Sequence, residues 1–389
     1  MARESKEIQD IDKNQKYSFN SAFGDKVVVE RHADIEEQFH YNIADKSITT
    51  TLVGSGTVTQ GNDMIVVSSG VDTDGSAIAK STHNIRYRPG FEGYALFTAL
   101  WETTAAAGVK QFIGAFDTND GFYVGYNGTD FVVGRRLGGT DTEVTQANWN
   151  GEGSADKLDT TKLNIFRITW GWLGTANILF QRYDQTGKWV TMHNMQIANT
   201  LTRPSINNPV LPICMDVTKT SGATDFIMKS GSWNGGMMGD DTEVGDRYFT
   251  AHEDATTVST EQVLLNLENQ STFQSKTNKV NLEFTFFSCA ADGTKTARFK
   301  IYKNLAIGGT PSWSAIDSAN SVVRKDTAGT ITPNDANLEF EFEVAKTGGV
   351  TTSLKDIKIE LNPTETLTVT GQSASNTDLH FSIRWKEHF

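Results

Sequence analysis

Cysteine and proline are scarce in this chain, with two and seven residues among 389. Two thiols, Cys214 and Cys289, cannot build a disulfide framework, and no cysteine spacing suits a metal site. Both are expected as buried thiols in different domains. Long apolar runs are missing too, and nothing approaches the length of a membrane-spanning helix. The first residues, Met1 to Glu7, are charged where a secretory signal needs an apolar core. The chain is therefore expected to be made in the cytoplasm and to stay soluble until it assembles. Positive charge is in deficit, with 35 Lys and Arg against 47 Asp and Glu and a net charge of −12. That balance argues against nucleic acid as the main partner, because a phosphate backbone calls for clustered basic residues. The adjacent basic pairs Arg135-Arg136 and Arg324-Lys325 read as strand-end charges in water.

What is present is turn chemistry and short aromatic runs. Residues 85 to 136 hold four such runs, punctuated by Pro89-Gly90, Asp120-Gly121 and Asn127-Gly128. Aromatic and β-branched residues at alternate positions suit a pleated, half-buried surface. Asn127-Gly128, between Val124 to Tyr126 and Phe131 to Val133, is a hairpin signal, since both residues tolerate positive φ. Turn signals every eight to twelve residues or so run from Ser47 to Ile85, the spacing a sandwich requires. His32 to His40, with Ile35 and Phe39 at helical spacing, reads as one helical turn, and no helix beyond two turns is expected.

The fold class expected is all-β: two antiparallel, jelly-roll-like β-sandwiches in tandem behind an extended N-terminal arm. The chain is too long for one ordinary core. The arm spans residues 1–44, and Tyr17, Phe19 and Phe23 are its attachment anchors. The first sandwich spans 45–235, and an acidic linker, 236–261, carries seven acids against one arginine from Asp240 to Glu261. The second sandwich spans 262–389. There Leu338, Phe340, Phe342 and Val344 share one strand face, and Glu339, Glu341 and Glu343 form a solvated stripe on the other.

Motifs for chemistry are few. Asp117 to Gly121 resembles the start of a calcium loop, but glycines stand where an EF-hand needs its third ligand and its closing Glu. A different cation site using Asp117, Asp120 or Asp130 is the weak alternative to an Asx turn that caps the hairpin. No metal and no cofactor are expected. Histidines are scattered, and no nucleophile elbow is present. Glu92 and Glu102, flanking the aromatic meander, are the better candidates for the paired carboxylates of a glycan hydrolase. Trp149 and Trp172 lie in Gly/Asn-rich surroundings and are the tryptophans expected to be exposed. With the loop from Gly138 to Thr161 they form a candidate carbohydrate site.

The order of elements from Arg86 to Val190 resembles a concanavalin-like (laminin-G-like) jelly roll. More narrowly, Ile85 to Gly90, Ile113 to Asp117 and Phe166 to Gly174 resemble virion structural proteins of tailed bacteriophages, of head-fibre, decoration or tail-appendage type. Lys300 to Asn304, Trp313, Ser321 to Val323 and Ile383 to Glu387 are similar to a second module of that group. The resemblance implies a non-enzymatic virion protein, a homo-oligomer attached to capsid or tail proteins. It is expected in the particle, with neither nucleic acid nor membrane as partner. The alternatives are an adhesin that binds a host-surface glycan and, behind it, a glycan hydrolase.

Overall fold

The computed structural model describes residues 31–86, 88–103, 106–151, 158–171, 174–239, 247–355, 357 and 359–388. Tyr17, Phe19, Phe23 and Trp172 lie outside the described residues, as do the acids from Asp240 to Asp246. The chain divides into two compact units, Met1–Asp241 and Thr242–Phe389. Among the described residues, two 3-10 turns are the only helical elements.

The strands of the first unit are β1 (Arg31–Gln38), β2 (Ile48–Val53), β3 (Thr57–Gly61), β4 (Met64–Ser68), β5 (Ser76–Ser81) and β6 (Glu92–Trp101). Next come β7 (Val109–Phe116), β8 (Asp120–Asn127), β9 (Asp130–Leu137), β10 (Thr140–Thr145) and β11 (Asn164–Gly171). The set closes with β12 (Ile178–Tyr183), β13 (Trp189–Met195), β14 (Ile213–Lys219), β15 (Ile227–Ser230) and β16 (Ser232–Met238). One sheet has seven strands in the order β10-β9-β8-β7-β14-β5-β2. The other has nine, running β13-β12-β11-β6-β15-β4-β3, with β16 also on β6 and β1 on β16. Every pairing is antiparallel, and the expected hairpin joins β8 to β9 with Asn127 opposite Asp130. Gly128 sits there at φ +63.

Alternation places one side of each strand in a common core. Ala95, Phe97, Ala99 and Trp101 of β6 meet Phe122 and Val124 of β8 and Phe166, Ile168 and Trp170 of β11. Trp101 lies edge-on to Phe131 at 5.0 Å.

Three expectations change here. The segment His32–His40 is not a helical turn; most of it is β1, which pairs with β16 from Arg31↔Met238 to Gln38↔Ser232. Ile35 and Phe39 both belong to the core. The arm expected over 1–44 thus ends inside the first sandwich, and β16 carries that sandwich past the expected boundary at 235, so residues 236–238 belong to it and not to a linker.

The acidic linker expected over 236–261 is also largely strand. In the second unit, β17 (Arg247–Val258) is followed by β18 (Gln262–Asn269), β19 (Thr272–Phe273), β20 (Lys276–Thr277) and β21 (Asn281–Asp292). Then come β22 (Ala297–Lys303), β23 (Gly308–Gly309), β24 (Ser314–Ala315), β25 (Val323–Asp326), β26 (Gly329–Thr330) and β27 (Leu338–Val344). The last are β28 (Gly348–Ser353), β29 (Glu360–Leu361), β30 (Thr366–Ser373) and β31 (Thr377–His388). Sheets β17-β31-β21-β28, with β29 on β21, and β24-β25-β18-β30-β22-β27 enclose a core around Phe284, Phe287, Phe299, Phe381 and Trp385. The acids of β17 have partners: Glu253 pairs with Lys325 of β25 in the other sheet, and Asp254 lies 2.7 Å from His380 on the neighbouring strand. Arg324 of the second basic pair likewise meets Glu268 at 2.6 Å.

The loop that carries β23 and β26 packs on the outer face of the six-stranded sheet at Asn266. Asp326 holds it, accepting hydrogen bonds from the backbone N–H groups of Ser312 (2.5 Å), Ala328 (3.1 Å) and Gly329 (2.8 Å). Asn266 Nδ2 donates a fourth at 2.9 Å, and Thr368 donates to Asn266 Oδ1 at 2.7 Å. All three side chains are buried.

Candidate functional site

A cluster of charged side chains lies on the outer face of the seven-stranded sheet. Alternation along β7, β8, β9 and β14 sends Phe112, Phe116, Tyr123, Val132 and Cys214 to the side away from the main core, where they form a second apolar cluster. Glycines on the same side make the floor for these rings. A Cβ on Gly134 would stand 2.3 Å from Tyr123 Cζ, and one on Gly121 would stand 2.3 Å from the Phe116 backbone. Phe112 and Tyr123 pack with ring centroids 4.2 Å apart. Both rings are fully buried, so neither offers a face to a sugar.

Charge closes over the rings. The Arg136 guanidinium sits 5.4 Å above Phe116 and 5.5 Å above Tyr123, and Lys110 Nζ lies 5.9 Å from the centre of Phe112. Arg136 donates from Nε and Nη2 to the two oxygens of Asp141, at 2.7 and 3.2 Å, and from Nη1 to the Asp117 carbonyl at 3.0 Å. Lys110 donates to Asp141 Oδ2 at 3.4 Å. The Tyr123 hydroxyl donates to Glu143 Oε1 at 2.8 Å, and Asn127 donates to Glu143 Oε2 at 2.7 Å. Asp216 accepts from Thr218 at 2.6 Å.

Electrostatics follow from this packing. Burial pushes the Asp216 carboxyl above its ordinary value, against the pull of Thr218, Arg136 and Lys110. Burial also opposes ionisation of Asp141, but the Arg136 hydrogen bonds and charge overcome it and hold that carboxyl below its ordinary value. Tyr123 is pushed up by burial and by the charges of Glu143 and Asp141. Burial pushes the Cys214 thiol upward too, which keeps it protonated and unreactive.

Asp141 and Glu143 stand two residues apart on one strand face, about 7 Å between Cα atoms. In this structure each is engaged with its own neighbours, Asp141 with two cations and Glu143 with a phenol and an amide. The arrangement performs a structural task, sealing an aromatic floor with paired charge.

Trp172 lies outside the described residues, and among the described ones the expected site residues are not brought together. Trp149 is 7% exposed and packs on Phe131 at 5.9 Å, with Nε1 donating to the Val144 carbonyl at 3.0 Å. The expectation of an exposed Trp149 is therefore corrected: its polar surroundings in sequence cover the back of a core residue. Glu92 and Glu102 sit at opposite ends of β6, about 30 Å apart. Glu92 is buried, and Glu102 is ion-paired with Lys229 at 2.5 Å. They form no catalytic pair.

Asp117 Oδ1 accepts from the N–H groups of Asn119 and Asp120 at 2.7 and 2.8 Å, the Asx turn expected of it. Asp120 Oδ1 accepts from Asn207 at 2.8 Å and Gly138 at 3.3 Å. Asp130 is at the other end of the hairpin, about 23 Å along the strand from Asp120. Among the described residues, no three His, Cys, Asp or Glu side chains gather as a metal site.

Partly exposed aromatics occur elsewhere, at the β12–β13 rim. Tyr183 is 39% exposed and meets Trp189 edge-on at 5.2 Å. The Arg167 guanidinium lies 4.3 Å over the Trp189 ring and donates from Nε to Gln181 at 2.9 Å. Burial drives the Arg167 pKa well down, helped by the charge of Arg31 and opposed by Glu92. Neither this rim nor the Arg136–Asp141 seal was found from sequence. For the seal a signal existed: Gly138-Gly139 marks a hairpin turn, which folds Asp141 and Glu143 back beside Arg136 and Gly134.

No protein-family model matches the chain, and no curated protein matches it. Among solved structures it is similar to a glycosyl hydrolase family protein from Mycobacterium fortuitum, at 10% identity and TM-score 0.38, over 52% of this chain and 99% of that one. It is also similar to a Lotus tetragonolobus seed lectin, at 9% identity and TM-score 0.35, over 53% of this chain and all of the other. Lectin II from Ulex europaeus is similar at 10% identity and TM-score 0.35, over 53% and 99% of the two chains.

Proposed function

We propose that this chain is a non-enzymatic structural protein of a tailed-bacteriophage virion, a decoration, head-fibre or tail-appendage component with two β-sandwich units. The observation that supports this most is the seal on the seven-stranded sheet. A catalytic cleft keeps its carboxylates ready to meet substrate, whereas Asp141 and Glu143 are committed to Arg136, Lys110, Tyr123 and Asn127. The segments Ile85 to Gly90 and Ile113 to Asp117, which carry the resemblance to virion proteins, serve the same framework. Ile85 bonds to Leu211 through both backbone groups, and Ile113 is in the core. Attachment through residues 1–25 belongs to this reading. Mass spectrometry of purified particles tests it, with the chain expected at a fixed copy number that is lost on deletion of residues 1–25. Absence of the full chain from particles would overturn the reading.

A second reading, glycan recognition, is favoured by the β12–β13 rim. The partly exposed Tyr183 beside Trp189 offers an aromatic surface for stacking, while the buried Arg167 holds one face of the Trp189 ring. On a glycan array, Trp189→Ala is expected to abolish any signal from this rim. A signal that survives it would exclude the rim as the binding surface.

A further inference from the structure

The seven-stranded sheet ends in two unlike edges. At one end β10 carries Asp141 and Glu143. A second copy laid antiparallel along it, with Thr142 on the axis, would set Asp141 against Glu143 twice, a like-charge pairing that repels. Charges of this kind guard a free strand edge. At the other end β2 pairs only with β5 among the described residues. Its sequence, Ile48 to Val53, holds no charge and no proline, and five of its six residues are exposed. Leu52 and Val53 are 49% and 45% exposed.

The faces of β2 follow from its register on β5. Ile48, Thr50 and Leu52 lie opposite Ser81, Ala79 and Ala77, on the side of the core. Thr49, Thr51 and Val53 lie opposite Lys80, Ile78 and Ser76, on the outer side. Leu52 thus shows apolar surface where the core side of the sheet ends. Two identical strands that pair antiparallel about a twofold axis normal to the sheet set each residue opposite one on the same side. With the axis at Thr50, Leu52 lies opposite Ile48 of the second copy, Thr50 opposite Thr50, and Thr49 opposite Thr51. Apolar side chains on the core side meet each other, and hydroxyls meet hydroxyls, pairs that stabilise a sheet. Just beyond the strand ends, the same register brings Lys46 of one copy toward the Gly54 turn of the other. Asp72 stands at that turn, with Oδ2 2.8 Å from where a Gly54 Cβ would be. This complementary contact forms twice.

We propose that β2 is the edge at which two copies of this chain join, turning two seven-stranded sheets into one continuous fourteen-stranded sheet. The occupant is a second copy because the register that covers Leu52 also brings Lys46 to Asp72 and opposes no like charges along the paired strands. A contact of six residues from each copy is small, of the class that dissociates at working concentrations. A monomer–dimer equilibrium is therefore expected in place of a permanent dimer. The interface supplies the self-association that the virion reading calls for, yet the two fail separately. A dimeric chain absent from particles overturns only that reading, and a monomeric chain present in particles overturns only the interface.

Analytical ultracentrifugation of the full chain over the micromolar range should show monomer converting to dimer as concentration rises. Leu52→Lys, an exposed change that leaves the fold alone, is expected to raise the dissociation constant at least about tenfold, because it sets a charge against Ile48 twice in each pair. Single cysteines then read the register. In Thr50→Cys the two thiols lie on strands directly opposed, about 4.5–5.5 Å between Cα atoms, which is within disulfide reach. Mild oxidation with diamide should link two such chains. In Thr51→Cys each thiol faces Thr49, and its own counterpart is on the diagonal at about 7–8 Å, too far to link. Cys214 and Cys289 are buried and do not compete. A chain that stays monomeric leaves the edge to some other strand and overturns the proposal. So does a dimer that Leu52→Lys does not weaken, or one that links as readily through residue 51 as through residue 50.

Discussion

In the first unit, the outer side of the seven-stranded sheet is closed by its own side chains; in the second, a loop packs on the outer side of the six-stranded sheet. The first solution needs glycine, since Phe112, Phe116 and Tyr123 can cover the strands only where Gly121 and Gly134 leave room. The second needs a carboxylate, since the loop over Asn266 and Thr368 is held by four donors on Asp326. The charge states differ accordingly. Burial dominates at Asp216 and raises its pKa. At Asp326 burial is overcome by hydrogen bonds from Asn266, Ser312, Gly329 and Ala328, and its pKa is lowered. Asp216, under side chains, is a burden, whereas Asp326 under its loop, like Asp141 beside Arg136, is held as a stable anion.

The sharpest way to break the first solution is Gly134→Val. The added methyl groups collide with the Tyr123 ring, and unfolding by urea should show the first unit weakened by about 3 kcal/mol, with the second unchanged. Equal stability would mean that the ring has somewhere else to go. Next comes Asp326→Ala, which leaves buried N–H groups without an acceptor and should weaken the second unit by about 2–3 kcal/mol. Hydrogen exchange should rise across residues 305–330, and protection that stays intact would deny Asp326 its role.

Titration separates the two units with a smaller effect. Asp216 has a folded pKa above its ordinary 3.8, so its ionisation destabilises the fold, and the first unit gains stability as pH falls through the folded pKa toward 3.8. Asp326 has a folded pKa below 3.8. Its contribution is complete above 3.8 and is lost as pH falls through the folded value. Calorimetry from pH 7 to pH 3 should show both trends. Asp216→Asn should remove the gain, and a gain that persists would assign it to another group. The smallest effect is expected from Gly128→Ala. Its Cβ would meet open space, but φ is +63, so the cost is backbone strain of about 1 kcal/mol. A loss as large as that of Gly134→Val would show that the turn, and not the aromatic floor, governs this sheet.

Much of the fold was legible because alternation is a local signal. Leu338 to Val344 read as a strand, and β27 is one. Where one spacing fits two periods, the reading failed. Ile35 and Phe39 are four apart, which places them on one face of a helix and equally on one face of a strand. The 236–261 segment misled for another reason: the partners of Glu253 and Asp254 are Lys325 and His380, too remote in sequence for pairing to be seen. Trp149 was misjudged because its Asn and Gly neighbours describe the solvent side of the chain and not the side its ring faces. Arg136 was taken as a solvated charge because a basic pair in sequence does not reveal that its members leave opposite faces of a strand.

The pairing of β1 with β16 joins Arg31 to Met238, and it sets a timetable. On a ribosome, roughly 200 residues must be made after β1 before its partner exists, which is roughly 10–40 s at about 5–20 residues per second. Until then β1 has nothing to pair with, and the side of β6 that takes Trp233 to Met238 stays bare. An uncovered strand edge is a template for other chains, so the nascent first unit is most prone to aggregate in that interval. Fragments ending before residue 232 lack β16, keep that side of β6 open permanently and should be recovered as insoluble protein.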